Sequence, residues 1–313
     1  MLAPICGMIC IVNESARQNW TPYLLLAGVV FLFALFTAAL LSEPVSDHRP
    51  GPDFGLSDDP RVGLIEIIGP ITESRPVIDG LKKLEQDKRT KAVVVRIDSP
   101  GGAVGPSQEI YHALLDLRDK KPVVVSMGSV AASGGFYIAS AATEILANAG
   151  TLTGSIGVIM AFADVSELLD WAKVRMEVVK TGQFKDTGSG YRPMTDVERG
   201  YLQDLIDEVL DQFVRDVATA RSEHVTEQRV RELADGRVFT GARAVEYGLA
   251  DRIGGYAAAV SLAGELGGIE GEPDVWKPRL GPPWYERVLE DGLAAPAREA
   301  AARLVPLWAV WVP

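Results

Sequence analysis

Residues 92–102 read AVVVRIDSPGG and residues 122–135 read PVVVSMGSVAASGG, and the fold turns on these two runs. Each opens on β-branched residues without polar alternation, the pattern of a strand covered on both faces, and each closes on small residues and glycine. A third run, VGLIEII at 62–68, has the same character. Between the three, residues 76–87 and 106–119 carry helical spacing, each with a proline near its first turn. The resulting β-α-β-α-β order calls for parallel pairing with right-handed crossovers, hence an α/β domain.

Downstream, residues 195–198 (TDVE) form a capping box that opens a long helix. Its apolar positions, from Val197 through Tyr201, Leu205 and Val209 to Phe213 and Val217, lie at helical spacing, for packing on the core or on another subunit. No internal repeat is visible, so one unit of function per chain is expected.

Upstream, residues 23–41 (YLLLAGVVFLFALFTAALL) carry no charge and are long enough to span a hydrocarbon core. Their length, and a preceding stretch that holds both Glu14 and Arg17, favour an anchor over a cleaved leader, although Ala38 and Ala39 could serve a cleavage site. Arg17 on one side nearly balances Arg49 and Arg61 on the other, so flanking charge leaves the orientation open. Residues 42–59 have the Pro, Gly, Asp and Ser content of a linker. The organisation expected is a segment at 1–22, an anchor at 23–41, a linker at 42–60, a domain at 61–265 and a tail at 266–313.

Composition limits the function. The 313 residues are 47% hydrophobic and 23% charged, which is globular. A net charge of -11 argues against a nucleic-acid partner, which needs clustered Lys and Arg. Both cysteines, Cys6 and Cys10, precede the apolar run, so the domain has neither a thiol nucleophile nor a cysteine metal site.

Four small-residue clusters stand where strands are expected to end: 99–102 (SPGG), 131–135 (AASGG), 153–157 (TGSIG) and 182–186 (GQFKD). Carboxyl ends of strands are where ligands bind in open α/β sheets. Ser133 heads a helix expected at 134–142, where free amides and the helix dipole suit a nucleophile and its oxyanion. The same position suits an ordinary N-cap, and the local pattern does not separate the two. The three histidines, His48, His112 and His224, stand in linker, helix and loop settings, and no serine has the hydrolase-elbow context. A serine nucleophile here therefore needs a lysine base, with Lys185 best placed and Lys180 its competitor.

Five ordered blocks, RIDSPGG (96–102), SMGSVAASGGFYIA (126–139), LTGSIGV (152–158), KTGQFKD (180–186) and ADGRVFTG through GLADRIGG (234–255), resemble the signal peptide peptidase A family. Its members are membrane-anchored serine proteases of the ClpP/crotonase superfamily. The resemblance covers about residues 60–265 and implies an α/β, ClpP/crotonase-like domain of repeated β-β-α spiral units behind one N-terminal transmembrane helix. By position it makes Ser133 the nucleophile, Lys185 the general base, Ser155 a serine that orients the lysine, and the amides of Gly102 and Gly134 the oxyanion hole. It implies no cofactor, neither metal nor nucleotide. It also implies hydrophobic peptides such as signal-peptide remnants as substrates, and a homo-octameric ring in which a neighbour can supply the lysine. The location implied is the bacterial cytoplasmic membrane, with the catalytic domain on the extracytoplasmic side. Residues 1–19 and the apolar tail at 305–313 (VPLWAVWVP) depart from the family pattern. A related protease with regulatory protein substrates, a non-catalytic membrane scaffold and an acyl-CoA enzyme of the same architecture are the competing readings.

Overall fold

The three β-branched runs form adjacent parallel strands, β1 (Arg61–Ile68), β2 (Thr90–Ser99) and β3 (Val123–Ala132). Leu64, Val94 and Val124 stand in one cross-strand row and Ile65, Val95 and Val125 in the next. Because side chains alternate along a strand, the two rows face opposite sides of the sheet. The Ile65 row packs with α1 (Arg75–Gln86), α2 (Val104–Arg118) and α3 (Gly134–Ser140). Ala259, Leu262 and Ala263 of α8 (Tyr256–Leu266) cover the Leu64 row. Both faces are buried, which is why these runs show no polar alternation; each such valine or leucine contributes about 1.5–3 kcal/mol.

This computed structural model describes residues 59–280. The chain divides into two units, Met1–Phe54 and Gly55–Pro313. The first, with the run at 23–41 and both cysteines, lies outside the described residues, as do most of the linker and residues 281–313. Among the described residues no helix is long and apolar enough to cross a membrane.

The remaining strands are β4 (Glu144–Ala147), β5 (Leu152–Gly154), β6 (Val238–Thr240), β7 (Arg252–Ile253) and β8 (Asp274–Trp276). The sheet runs β6-β5-β3-β2-β1-β8, with β4 joining β3 to β7. Every pairing is parallel except β5 with β6. β3 changes partner along its length: Val124–Ser126 pair with β4, while Val130–Ala132 pair with β5. The change happens at a register shift, where Ile97 faces Met127 but Ser99 faces Ala131. The Asp98 carboxylate fills that bulge, accepting from the Val130 amide at 3.1 Å. A Cβ on Gly128 would stand 2.6 Å from its Cγ, so only glycine fits there. Beyond the bulge the end of β3 pairs with β5, and the Ser133 amide donates to the carbonyl of Gly154 at 2.8 Å.

The first two expected strands and the first two helices are present within one or two residues, whereas the third strand, expected at 122–126, runs on to Ala132. The clusters at 99–102, 131–135 and 153–157 do follow β2, β3 and β5. The cluster at 182–186 follows no strand, and this corrects the expectation: between β5 and α5 (Asp196–Ala220) the regular structure is α4 (Ser166–Trp171) alone. That glycine-rich stretch is held by polar side chains instead of a sheet. The capping box is formed, Thr195 accepting from Glu198 N–H while the Glu198 carboxylate accepts from Thr195 N–H. Only the second half of α5 packs on the core, through Phe213, Val214 and Val217, whereas Val197, Tyr201 and Leu205 are exposed. Two short helices, α6 (Glu227–Leu233) and α7 (Gly241–Glu246), complete the fold.

Candidate active site

Ser133 follows β3 directly and has φ 51 and ψ −121, a positive φ that non-glycine residues adopt at a cost of about 1–2 kcal/mol. Its backbone is held on both sides: the Ser133 amide donates to the Gly154 carbonyl at 2.8 Å, and its own carbonyl accepts from Tyr137 N–H at 2.8 Å. In this conformation the hydroxyl makes no capping bond to α3. The N-cap reading of the side chain therefore fails, and the hydroxyl has no hydrogen-bond partner among the described residues.

Two unused amides stand beside it. Gly134, first residue of α3, has no intrahelical acceptor for its N–H. Gly102 is bridged to Ile71, but the donors in that bridge are Ile71 N–H to Gly101 O (2.9 Å) and Ala103 N–H to Ile71 O (2.8 Å), which leaves the Gly102 amide without an acceptor among the described residues. Imagined Cβ atoms measure the crowding: on Gly134 it would lie 3.4 Å from Gly102 N, and on Gly101 it would lie 2.8 Å from both Gly134 N and Ser133 Cβ. Gly101 has φ +102, and its amide donates to Ser99 Oγ at 3.1 Å, which fixes the turn.

These groups open onto a groove whose polar side is Gly102, Ser107, Ser133 and Gly134, and whose apolar side is Val104, Tyr137, Val158, Ile159, Val209 and Phe213. The Tyr137 ring lies 4.6 Å from Tyr111 and 4.8 Å from Phe213, and its hydroxyl donates to Asp216. Burial first, and then that carboxylate, push the Tyr137 phenol far up; Tyr111 is pushed up to about 12 by the same two causes. Both are neutral donors at any physiological pH. Ser99 lies in the expected 99–102 cluster, whereas Tyr137 and Asp216 were not among the expected site residues. The Ser99 contact is local, to the amide of Gly101, but the 79-residue separation of Tyr137 from Asp216 leaves no local signal.

The other expected residues stand apart from the groove. Ser155, just after β5, has φ 50; its amide donates to Arg237 O at 2.8 Å, and its hydroxyl has no partner among the described residues. Lys185 is exposed and has no hydrogen bond or ion pair among the described residues. Lys180 is engaged: it pairs with Asp186 and donates to Gln183 O at 3.1 Å. Around them a network ties the loop to α5. Arg192 grips Asp186 through Nε (3.1 Å) and Nη2 (2.8 Å) and reaches Glu198 through Nη1 (2.8 Å). Arg192, and after it Lys180, hold the Asp186 carboxyl well below the usual range; Arg192, and after it the Thr195 amide, hold Glu198 down to about 2. Of the histidines, His112 packs on Tyr111 and His224 lies 3.5 Å from Asp251, and neither lines the groove.

The sequence profile of Peptidase family S49 matches residues 116–270, and that of Clp protease matches residues 62–169. A Synechocystis protein, slr0021, provisionally named a protease, is 43% identical over 219 residues, covering 69% of this chain and 78% of its own. The chloroplastic serine protease SPPA of Arabidopsis thaliana is 33% identical over 66% of this chain and 30% of its own length. Protease 4 of Haemophilus influenzae is 35% identical over 59% of this chain, again 30% of its own. This chain thus spans under a third of those two larger relatives. The 1510-N membrane-bound stomatin-specific protease, a solved structure, aligns over 71% of this chain and 99% of its own at 14% identity, with a TM-score of 0.49. The relative covered over 78% of its length at 43% identity, together with the S49 profile laid across α3, β5 and the loop of Lys185, establishes that the chain belongs to peptidase family S49.

Proposed function

We propose that this chain is a membrane-anchored serine endopeptidase in which Ser133 is the nucleophile and Lys185 the general base. The observation that carries the reading is the free Ser133 hydroxyl, held at a positive φ beside the unused amides of Gly102 and Gly134. Ser133 Oγ attacks a peptide carbonyl while its proton passes to the neutral Lys185 amine, and the two amides bind the developing oxyanion. Collapse of that intermediate breaks the C–N bond, with the Lys185 proton passing to the leaving nitrogen and an acyl-serine remaining. Water, deprotonated by Lys185, then releases the acid and regenerates the hydroxyl. Ser155 orients the lysine. No metal or nucleotide enters these steps.

The exposure of Lys185, and its absence from the groove wall, support a site completed between chains, with the lysine of one copy serving Ser133 of the next. Exposed apolar residues between β5 and that loop support the same arrangement, a homo-octameric ring by family resemblance. The apolar groove wall suits hydrophobic peptides. Since one relative is named a signal peptide peptidase, we assign remnant signal peptides as substrates. The run at 23–41 serves as anchor in a bacterial cytoplasmic membrane, with the domain on the extracytoplasmic side. The experiment mixes two inactive proteins: Ser133→Ala and Lys185→Ala, dissociated and reassembled together, are expected to regain peptide hydrolysis that neither has alone. Activity in either variant alone overturns its assigned role, and a silent mixed assembly overturns the shared site.

A further inference from the structure

The loop that carries Lys185 is closed by an ion network whose geometry goes beyond holding a loop in place. Asp186, the residue next to Lys185, has both carboxylate oxygens doubly engaged. Oδ1 accepts from Arg192 Nη2 at 2.8 Å and from Lys180, and Oδ2 accepts from Arg192 Nε at 3.1 Å and from the Tyr191 hydroxyl at 2.9 Å. A carboxylate has about four acceptor sites, and here all are taken by residues other than Lys185. Arg192 also reaches the Glu198 carboxylate, at 2.8 Å through Nη1, and that side chain is fixed by the N-terminus of α5. One guanidinium fork thus ties the loop to the long helix and occupies the anion adjacent to Lys185. The charged and titratable groups in this network are Lys180, Asp186, Tyr191 and Arg192 from the loop and Glu198 from α5. Tyr201 of α5 packs on Phe184, with ring centroids 4.8 Å apart.

We propose that Arg192 is a positioning residue for Lys185: its fork withholds the Asp186 carboxylate from the neighbouring lysine and pins the loop to the start of α5. A serine peptidase with a lysine base needs the amine neutral, and a free carboxylate one residue away would favour the ammonium form. Lysine cannot substitute for arginine in this role, because a single ammonium lacks the planar fork that serves two carboxylates at once. The inference rests on the reading of Lys185 as base.

The test compares Arg192→Gln, Arg192→Lys and the double variant Arg192→Gln/Asp186→Asn in the full-length assembled protein. The readout is the pH profile of peptide hydrolysis. In Arg192→Gln, kcat is expected to fall by roughly 30-fold or more with KM within about threefold, and the acidic limb of kcat/KM to move up by about one pH unit. Removing the released carboxylate in the double variant returns that limb to its wild-type position. Purely structural damage would lower activity equally at every pH, and Asp186→Asn would not repair the profile. An unmoved limb in Arg192→Gln, or a moved limb that the double variant leaves in place, overturns the proposal. Should Arg192→Gln fail to assemble, Arg192→Lys carries the same test, with a smaller displacement expected and an unmoved limb again counting against it. Lys185→Ala separates the two readings. If it is inactive while the Arg192 variants are unaffected, only this inference falls; if it is fully active, the base assignment falls and takes the inference with it.

Discussion

Ser133 and Ser155 both take positive φ, 51 and 50, and the backbone between them is joined by a hydrogen bond of 2.8 Å from the Ser133 amide to the carbonyl of Gly154. The two serines thus stand at the same end of the β3–β5 pairing, and neither hydroxyl has a partner among the described residues. The backbone shape of this pair can be separated from the chemistry of Ser155 by two substitutions. Ser155→Ala removes the hydroxyl and keeps the backbone strain; Ser155→Gly removes both. Each is expected to lower kcat about tenfold, the loss of one orienting hydrogen bond of about 1–1.5 kcal/mol. The glycine variant should match or exceed the alanine variant in stability by up to about 1 kcal/mol. Denaturant melts and steady-state kinetics on both check this, and a kcat loss confined to one of them would refute the orienting role.

Gly101 offers a test of the oxyanion site that replaces neither serine, though an added Cβ there would also crowd Ser133 Cβ at 2.8 Å. Its φ of +102 and the 2.8 Å approach of an added Cβ to Gly134 N leave no room for a side chain. Gly101→Ala is expected to displace the Gly102 and Gly134 amides from each other and lower kcat by about 10²–10³, the cost of a lost oxyanion donor. Gly105, where an added Cβ meets nothing within 4 Å, is the control: Gly105→Ala leaves activity within about twofold. Acylation rates with an activated ester substrate measure both.

The central sheet was legible because β-branched residues buried on both faces leave an unbroken run, visible without knowing the partners. Ser133 as the head of a helix was legible for a similar reason, since glycine after a strand marks a turn. Its positive φ was not. That depends on the bulge at Gly128, which depends on Asp98 reaching across from β2, a contact no local pattern announces. The loop of Lys185 was misread as a strand end because glycine and small residues mark any sharp turn. What holds that loop is Arg192 and Glu198, and the capping-box glutamate gave no sign in sequence of a second partner. The apolar stripe of α5 was read as one face, yet its first half stays uncovered on a single chain.

The same network gives an acid limit. Glu198 is lowered from its ordinary 4.5 to about 2, chiefly by Arg192 and then by the Thr195 amide. A carboxyl whose folded value is depressed stabilises the fold above its unfolded value and loses that contribution as pH falls through the folded one. Stability should therefore decline between roughly pH 4.5 and pH 2, with Asp186 acting in the same direction. Glu198→Gln, already lacking the ion pair, should show a lower melting temperature at pH 7 and a flatter decline below pH 4.5. Thermal melts from pH 7 to pH 2 measure this, and parallel curves for the two proteins would dismiss the network as a source of acid sensitivity.

The segment between β5 and the Lys185 loop exposes a run of large apolar side chains. Leu168 is 60% exposed and Trp171 79%, with Ile159, Phe162, Met176 and Val179 also open. Covering a large apolar side chain is worth about 1.5–3 kcal/mol, so in the assembly proposed above a few such residues meeting a second copy would supply the surplus for stable association. Charged replacements convert that gain into a desolvation cost. Leu168→Asp and Trp171→Asp are expected to reduce the particle mass in sedimentation and to abolish peptide hydrolysis, while the melting temperature of the core changes by no more than a few degrees. The activity loss follows only if the lysine must arrive from another chain. Dissociated variants that hydrolyse peptide at the wild-type rate would place Lys185 and Ser133 of one chain in a complete site and remove the need for a neighbour.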